Sequence, residues 1–198
     1  MNSEFNVSLF RSINDLGKEY SFLNPISILF AEYTVYFLVV SVILFWFTRS
    51  SRNRIMIISA GISFILAEII GKTAGLLYSN QQPFAELSNV NKLIEKTVGN
   101  SFPSDHTILF FTFCFSFFFF KTRFKYIWII LAFSVGLSRI LVGVHYPYDV
   151  MTGAIIGIAT SFICFRVIPN RKIFNQLLEY YEKVERKIIP LKENEKDF

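Results

Sequence analysis

The chain contains two histidines, His106 and His145, and each stands in a short polar run bordered by apolar stretches. The first run is Pro103-Ser104-Asp105-His106. Ser and Asp are preferred where helices begin, since the first backbone N–H groups there lack partners. The helix dipole also turns its positive end outward at that point, which makes the place a ready site for phosphate oxygens. Ser104 and Asp105 are the side-chain candidates for such contacts. Helix capping would account for both, but it leaves His106 unexplained.

The second run is Ser138-Arg139, five residues, His145, three residues, Asp149. An arginine within an apolar helix is costly and is usually functional or paired. Its planar fork of donors suits phosphate oxygens, and Ser138 beside it is a further candidate contact. His145 and Asp149 are four residues apart, with Pro147 between them at the expected start of a helix. That spacing places the carboxylate on the side of the imidazole. Asp149 could then hold one ring nitrogen and leave the other free to attack phosphorus. A capping aspartate beside a structural histidine is the alternative.

A third region runs from Lys72 to Gln82 and Pro83. Lys72 could neutralise phosphate charge. Glu68 lies four residues earlier, in the favourable order for a helix ion pair, so a self-paired lysine is an equal reading. Glu32 is a further carboxylate inside an apolar stretch, with no role assigned.

These residues need a scaffold, and the composition says which. Of 198 residues, 53% are hydrophobic and 24 are Phe. That is excessive for a soluble domain of this size, and length favours one domain. Cys114 and Cys164 lie in apolar runs and read as small buried hydrophobes. The start, Met1-Asn2-Ser3-Glu4, has no positive region followed by an apolar stretch, so no cleavable signal peptide is expected.

Apolar segments span residues 26–47, 55–78, 106–120, 126–144 and 148–167. A membrane-crossing helix needs about 20 residues. Four segments meet that length, and the third needs Pro103 to Asp105 as its first turn. Within lipid the backbone must bond to itself, so the expectation is an all-α bundle of five membrane-spanning helices. Residues 6–20, with Val7, Phe10, Ile13 and Leu16 at helical spacing, read as an amphipathic helix lying in the interface. The expected organisation is one membrane-embedded domain over 1–198, with its core at about 26–167. Residues 168–198 read as a cytoplasmic amphipathic surface tail ending in a loose charged terminus.

Loop charges orient the bundle. Arg49, Arg52 and Arg54, then Lys121, Arg123 and Lys125, then Arg171 and Lys172 fall on one side if the helices alternate. The positive-inside rule makes that side cytoplasmic. Both histidines, Arg139, Asp149 and the Lys72–Gln82 region are then expected together on the outer face.

With these residues in place, the chain resembles the type-2 phosphatidic-acid phosphatase superfamily. The third motif of that family, Ser-Arg-x5-His-x3-Asp, is matched by Ser138, Arg139, His145 and Asp149. The second, Pro-Ser-Gly-His, is matched by Pro103, Ser104 and His106, with Asp105 in place of glycine. The first, Lys-x6-Arg-Pro, is degenerate: Gln82-Pro83 replaces Arg-Pro, and Lys72 stands about one turn too far upstream. The likeness covers roughly residues 55–167. Residues 101–106 and Gln82-Pro83-Phe84 further resemble the bacitracin-resistance type of undecaprenyl-diphosphatase within the superfamily.

The resemblance implies a bacterial plasma-membrane enzyme with its site outside. It would hydrolyse undecaprenyl diphosphate to the monophosphate carrier used in cell-wall synthesis. It implies His145 as nucleophile, His106 as acid and base, and Asp149 as support. Arg139, Ser104, Asp105, Ser138, Lys72 and Gln82 are the substrate-binding candidates. No cofactor or metal is expected, and the only partners implied are a lipid substrate and the bilayer, not nucleic acid. The alternative within the family is a phosphatidate or phosphatidylglycerophosphate phosphatase. Outside it, a transporter or an inactive scaffold would lack release of phosphate from lipid phosphates.

Overall fold

The computed structural model describes residues 3–188, so the loose charged end expected of the tail lies outside the described residues. Among the described residues the regular elements are all helical. Helix α1 (Glu4–Asn14) is followed by the short α2 (Leu16–Glu19). Then α3 (Leu23–Ile28), a π-helical turn (Leu29–Tyr33) and α4 (Thr34–Phe47) run on from one another. Helix α5 (Ser51–Leu77) leads into the single turn α6 (Pro83–Glu86) and an irregular segment. Helices α7 (Asp105–Phe119), α8 (Lys125–Leu141), α9 (Pro147–Val167) and α10 (Lys172–Ile188) complete the chain.

Among the described residues three helices are long and apolar enough to cross a membrane: Leu23–Phe47, Ser51–Leu77 and Pro147–Asn170. Helix α7 has 15 residues and α8 has 17, so the fourth expected segment is shorter than its apolar run. The physical reason is Gly143, whose φ of +82° turns the chain out of the helix. The N–H groups of Val144 and His145 both point back to the Arg139 carbonyl, as at other glycine-terminated helix ends. Helix α7 begins at Asp105 and not at Pro103, because Ser104 is extended and serves as its N-cap.

Helix α7 is central and packs against α5, α8 and α9. Phe110, Phe111, Phe117 and Trp128 fill the core, with the Phe117 and Trp128 rings 4.7 Å apart, edge to face. Ile65, Ile69, Ile130 and Ile155 are exposed on the outside, the polarity expected of a lipid-facing wall. Buried Ser59, Ser63, Thr112 and Ser116 each donate to the carbonyl four residues earlier, which satisfies their hydroxyls inside apolar surroundings. Where α9 crosses α7, a Cβ on Gly153 would stand 2.9 Å from the Ser104 carbonyl oxygen. Only glycine lets the two backbones meet there, which joins the two polar runs of the sequence.

Two peripheral helices form where the periodicity places them, and both dock on the bundle. The inner stripe of α1 is Asn6, Phe10 and Asn14, and all three are buried. Phe10 packs on Tyr146, while Asn14 donates to the carbonyls of Asn91, Ile140 and Leu141. This helix therefore clamps the loops around His145; buried polar side chains with protein partners would be stranded in lipid. The tail helix α10 docks as well. Arg54, read from sequence as a loop charge, is 1% exposed and pairs with Glu185 at 2.7 Å and Glu182 at 3.5 Å.

Gly143→Val tests the turn that carries His145. The added Cβ would sit 2.8 Å from the Asn91 carbonyl oxygen, in a left-handed conformation that β-branched residues resist. The expected cost is about 2 kcal/mol or more, read as a lower melting temperature in detergent, with loss of most activity. A variant that melts and turns over like the parent would show that the turn is not required.

Candidate active site

The turn after α8 presents His145, and α9 begins directly behind it. His145 is 2% exposed. Its Nδ1 lies 2.9 Å from the Ser101 carbonyl oxygen. A carbonyl only accepts, so Nδ1 carries the proton and the lone pair is on Nε2. Burial, reinforced by the positive charges of Lys96 and Arg139, holds this imidazole well below its usual range. It is therefore neutral at pH 7.

Asp149 stands 3.6 Å from Nδ1, too far for the direct hydrogen bond expected. Its Oδ2 accepts from Ser101 Oγ at 2.5 Å and from the Tyr146 N–H at 2.9 Å. Asp149 thus caps α9 and supports the histidine in one arrangement, so the two readings of the spacing coexist. Ser101 is the intermediary, since its carbonyl fixes the ring and its hydroxyl meets the carboxylate. The backbone bond from the Ser104 N–H to the Asp149 carbonyl, 3.2 Å, brings the two polar runs together. Tyr146, with its hydroxyl donating to Glu86 at 2.9 Å, anchors the turn from the other side.

A cavity of about 560 Å³ opens in front of this assembly. It is lined by Glu32, Tyr33, Tyr36, Ile94, Glu95, Lys96, Asp105, His106 and Arg139. Arg139 is 2% exposed and comes from the last turn of α8. Its Nη1 donates to the Ala31 carbonyl at 2.9 Å, within the π-helical turn, while Nε is buried without a hydrogen-bond partner among the described residues. One edge of the fork is held by protein, and donors remain for a ligand.

The other expected residues fall elsewhere. Ser104 is buried, and its hydroxyl accepts from Thr107 at 3.0 Å. Ser138 is buried, and its hydroxyl donates to the Val135 carbonyl. Gln82 is 1% exposed and accepts from the Gly99 N–H, so it shapes the loop before Ser101. The Lys72 side chain is 78% exposed, stands 4.0 Å from Glu68, and lines a separate cavity with Asn100, Phe102 and Asp105. Its contact with Glu68 is the self-paired reading of that spacing.

Sequence reasoning missed Lys96, whose Nζ is 2.9 Å from His145 Nε2. It also missed the bridging role of Ser101. Neither stands in a periodic segment; for Ser101, its place in the run 101–106 that carries the family resemblance was the available signal.

An all-helical bundle with membrane-length helices thus presents an unprotonated histidine nitrogen beside a cavity that carries cations. Such a nitrogen is chemically able to attack an electrophile that the cations hold. Residues 56–173 match the PAP2 superfamily model, and the chain belongs to that superfamily. It is 52% identical to the "Bacitracin transport permease protein BcrC" of Bacillus licheniformis, over 98% of this chain and 96% of that one. It is 28% identical to the "Undecaprenyl-diphosphatase BcrC" of Bacillus subtilis (strain 168), over 92% and 95%. The crystal structure of Aquifex aeolicus LpxE is similar, with a TM-score of 0.70 at 27% identity, covering 83% of this chain and 97% of that one.

Proposed function

We propose that this chain hydrolyses undecaprenyl diphosphate to undecaprenyl phosphate and inorganic phosphate through a phosphohistidine at His145. The observation that carries the reading is the contact of a buried His145 with the Ser101 carbonyl through Nδ1, which leaves Nε2 against Lys96 at the wall of a cation-bearing cavity.

In the first step the Nε2 lone pair forms a bond to the terminal phosphorus. The bond from phosphorus to the bridging oxygen breaks, its electron pair stays on the lipid monophosphate, and His106 delivers a proton there. The positive charge on the phosphorylated ring is met through Ser101 and Asp149. In the second step a water oxygen bonds to phosphorus while His106 takes its proton. The N–P bond breaks and its electrons return to Nε2. Arg139 and the backbone N–H groups opening α7 hold the oxygens on which charge develops.

Five spans follow if α7 and α8 cross the bilayer together with the three longer helices. The charge pattern then puts the site outside and α10 in the cytoplasm. The name of the Bacillus subtilis relative supports the lipid; the name of the Bacillus licheniformis relative favours transport instead.

Release of phosphate in detergent separates them. The parent chain, with EDTA present, is expected to release phosphate from undecaprenyl diphosphate faster than from phosphatidic acid. Preference for phosphatidic acid would overturn the lipid. No release from either would leave transport as the better reading.

A further inference from the structure

The first motif of the superfamily supplies no cation to this cavity. Lys72 is exposed beside Glu68 and lines the neighbouring cavity, and Gln82 is bonded within its own loop. Arg139 alone would then face a diphosphate, with Glu32 and Asp105 lining the same cavity. We propose that Lys96 is the second phosphate-binding cation of this site, reaching it from the irregular segment between α6 and α7.

Its placement is built rather than incidental. Ile94, two residues earlier, is buried against Ala31, Val142 and Val144. The Leu93 N–H donates to the Val142 carbonyl, and Asn91 exchanges hydrogen bonds with Asn14 of α1. Arg11 of α1 donates to the Ser88 and Asn89 carbonyls of the same segment. The backbone leading to Lys96 is thus fixed, and the long side chain runs from that anchor to the cavity. There Nζ meets Nε2 of His145, which lies behind it.

This position has a mechanical consequence. An ammonium donating to Nε2 covers the lone pair that must attack. When the terminal phosphate arrives, its oxygens are stronger acceptors than a neutral imidazole. The ammonium transfers its donor to a phosphate oxygen and uncovers the nitrogen in the same movement. Lys96 therefore contacts substrate, and it couples exposure of the nucleophile to occupation of the site.

Titration of Lys96 offers a readout beyond loss of activity. Burial, then the charge of Arg139, lowers its ammonium to about 8, opposed by Asp105 and Asp149. His106 and His145 face it from α7 and the turn before α9. Above that pH the free protein holds a neutral amine, which attracts phosphate less. The value of kcat/KM should therefore fall as pH rises through about 8. In Lys96→Arg the fall should move to higher pH, because guanidinium stays charged.

The proposal rests on the phosphatase reading, and the test keeps the two apart. Orthovanadate binding and phosphate release from undecaprenyl diphosphate are measured on the full chain in detergent, for the parent, Lys96→Met and Lys96→Arg. Methionine keeps the apolar stem, and melting temperatures verify folding. In Lys96→Met we expect kcat/KM to drop roughly 100-fold and vanadate to bind at least about 10-fold more weakly. Lys96→Arg should recover most of both. Vanadate binding that depends on Lys96 without any release would sink the phosphatase reading and leave this one standing. Unchanged vanadate binding in a folded Lys96→Met, or a rate equal to or above the parent, would overturn it and make Lys96 a mere cover over the nucleophile.

Discussion

His145→Ala should release no phosphate from undecaprenyl diphosphate above the detergent blank. The loss expected is about 10⁴-fold or more in kcat, since covalent catalysis leaves no substitute for the attacking atom. Alanine also strands the Ser101 carbonyl, a buried acceptor, at a cost of roughly 1–3 kcal/mol. His145→Gln is the sharper variant, because an amide N–H can still serve that carbonyl while offering phosphorus no nucleophile. It should melt close to the parent and be equally inactive. Diphosphate labelled in its terminal phosphate, quenched in alkali, should leave an acid-labile label on the parent and none on His145→Gln. Appreciable turnover by the folded glutamine variant would remove His145 as nucleophile.

The leaving group tells the lipids apart by the same logic. A lipid monophosphate, with a second pKa of about 6, departs with little help from an acid. The alkoxide leaving phosphatidic acid needs a proton. His106→Ala should accordingly depress the reaction with phosphatidic acid far more than that with the diphosphate.

What the sequence made legible was the chemistry held at fixed spacing on regular elements. His145 and Asp149 lie four apart across a helix start, and Arg139 ends an apolar helix, so their types and periods spoke directly. Lys96 and Ser101 were not legible because they act from irregular backbone, whose course depends on contacts made far away in sequence. Asn14 and Ile94 set that course, and no local pattern announces such pairings. The docking of α1 on the loops was not legible for a related reason. Its apolar periodicity fits a lipid interface, but Asn6 and Asn14 share the stripe of Phe10, and polar residues on a buried face ask for protein partners. Arg54 was counted as a loop charge because nothing local shows Glu182 and Glu185, more than a hundred residues away, closing over it. Polar residues such as Ser104 and Ser138 sit at motif positions yet face their own helices, so a motif fixes the place of a residue more firmly than its contacts.

Arg139→Ala should lower kcat/KM by roughly 10³-fold, more than the loss of one neutral donor at a similar site. The reason is the company Arg139 keeps. Glu32 and Asp105 line the same cavity, and without the guanidinium their charges face the substrate with only Lys96 to oppose them. The deletion therefore removes an attraction and exposes a repulsion. Arg139→Lys should recover only part of the loss, since an ammonium restores charge but not the fork that holds Ala31 and phosphate at once. Adding Glu32→Gln to Arg139→Ala should lower KM again while kcat stays depressed, because the carboxylate opposes binding whereas the guanidinium also meets charge that develops during transfer. A folded Arg139→Ala with near-normal kcat/KM would refute the phosphate role outright. A double variant no better than the single would show that Glu32 does not act on the substrate, and the whole deficit would then belong to the lost donors.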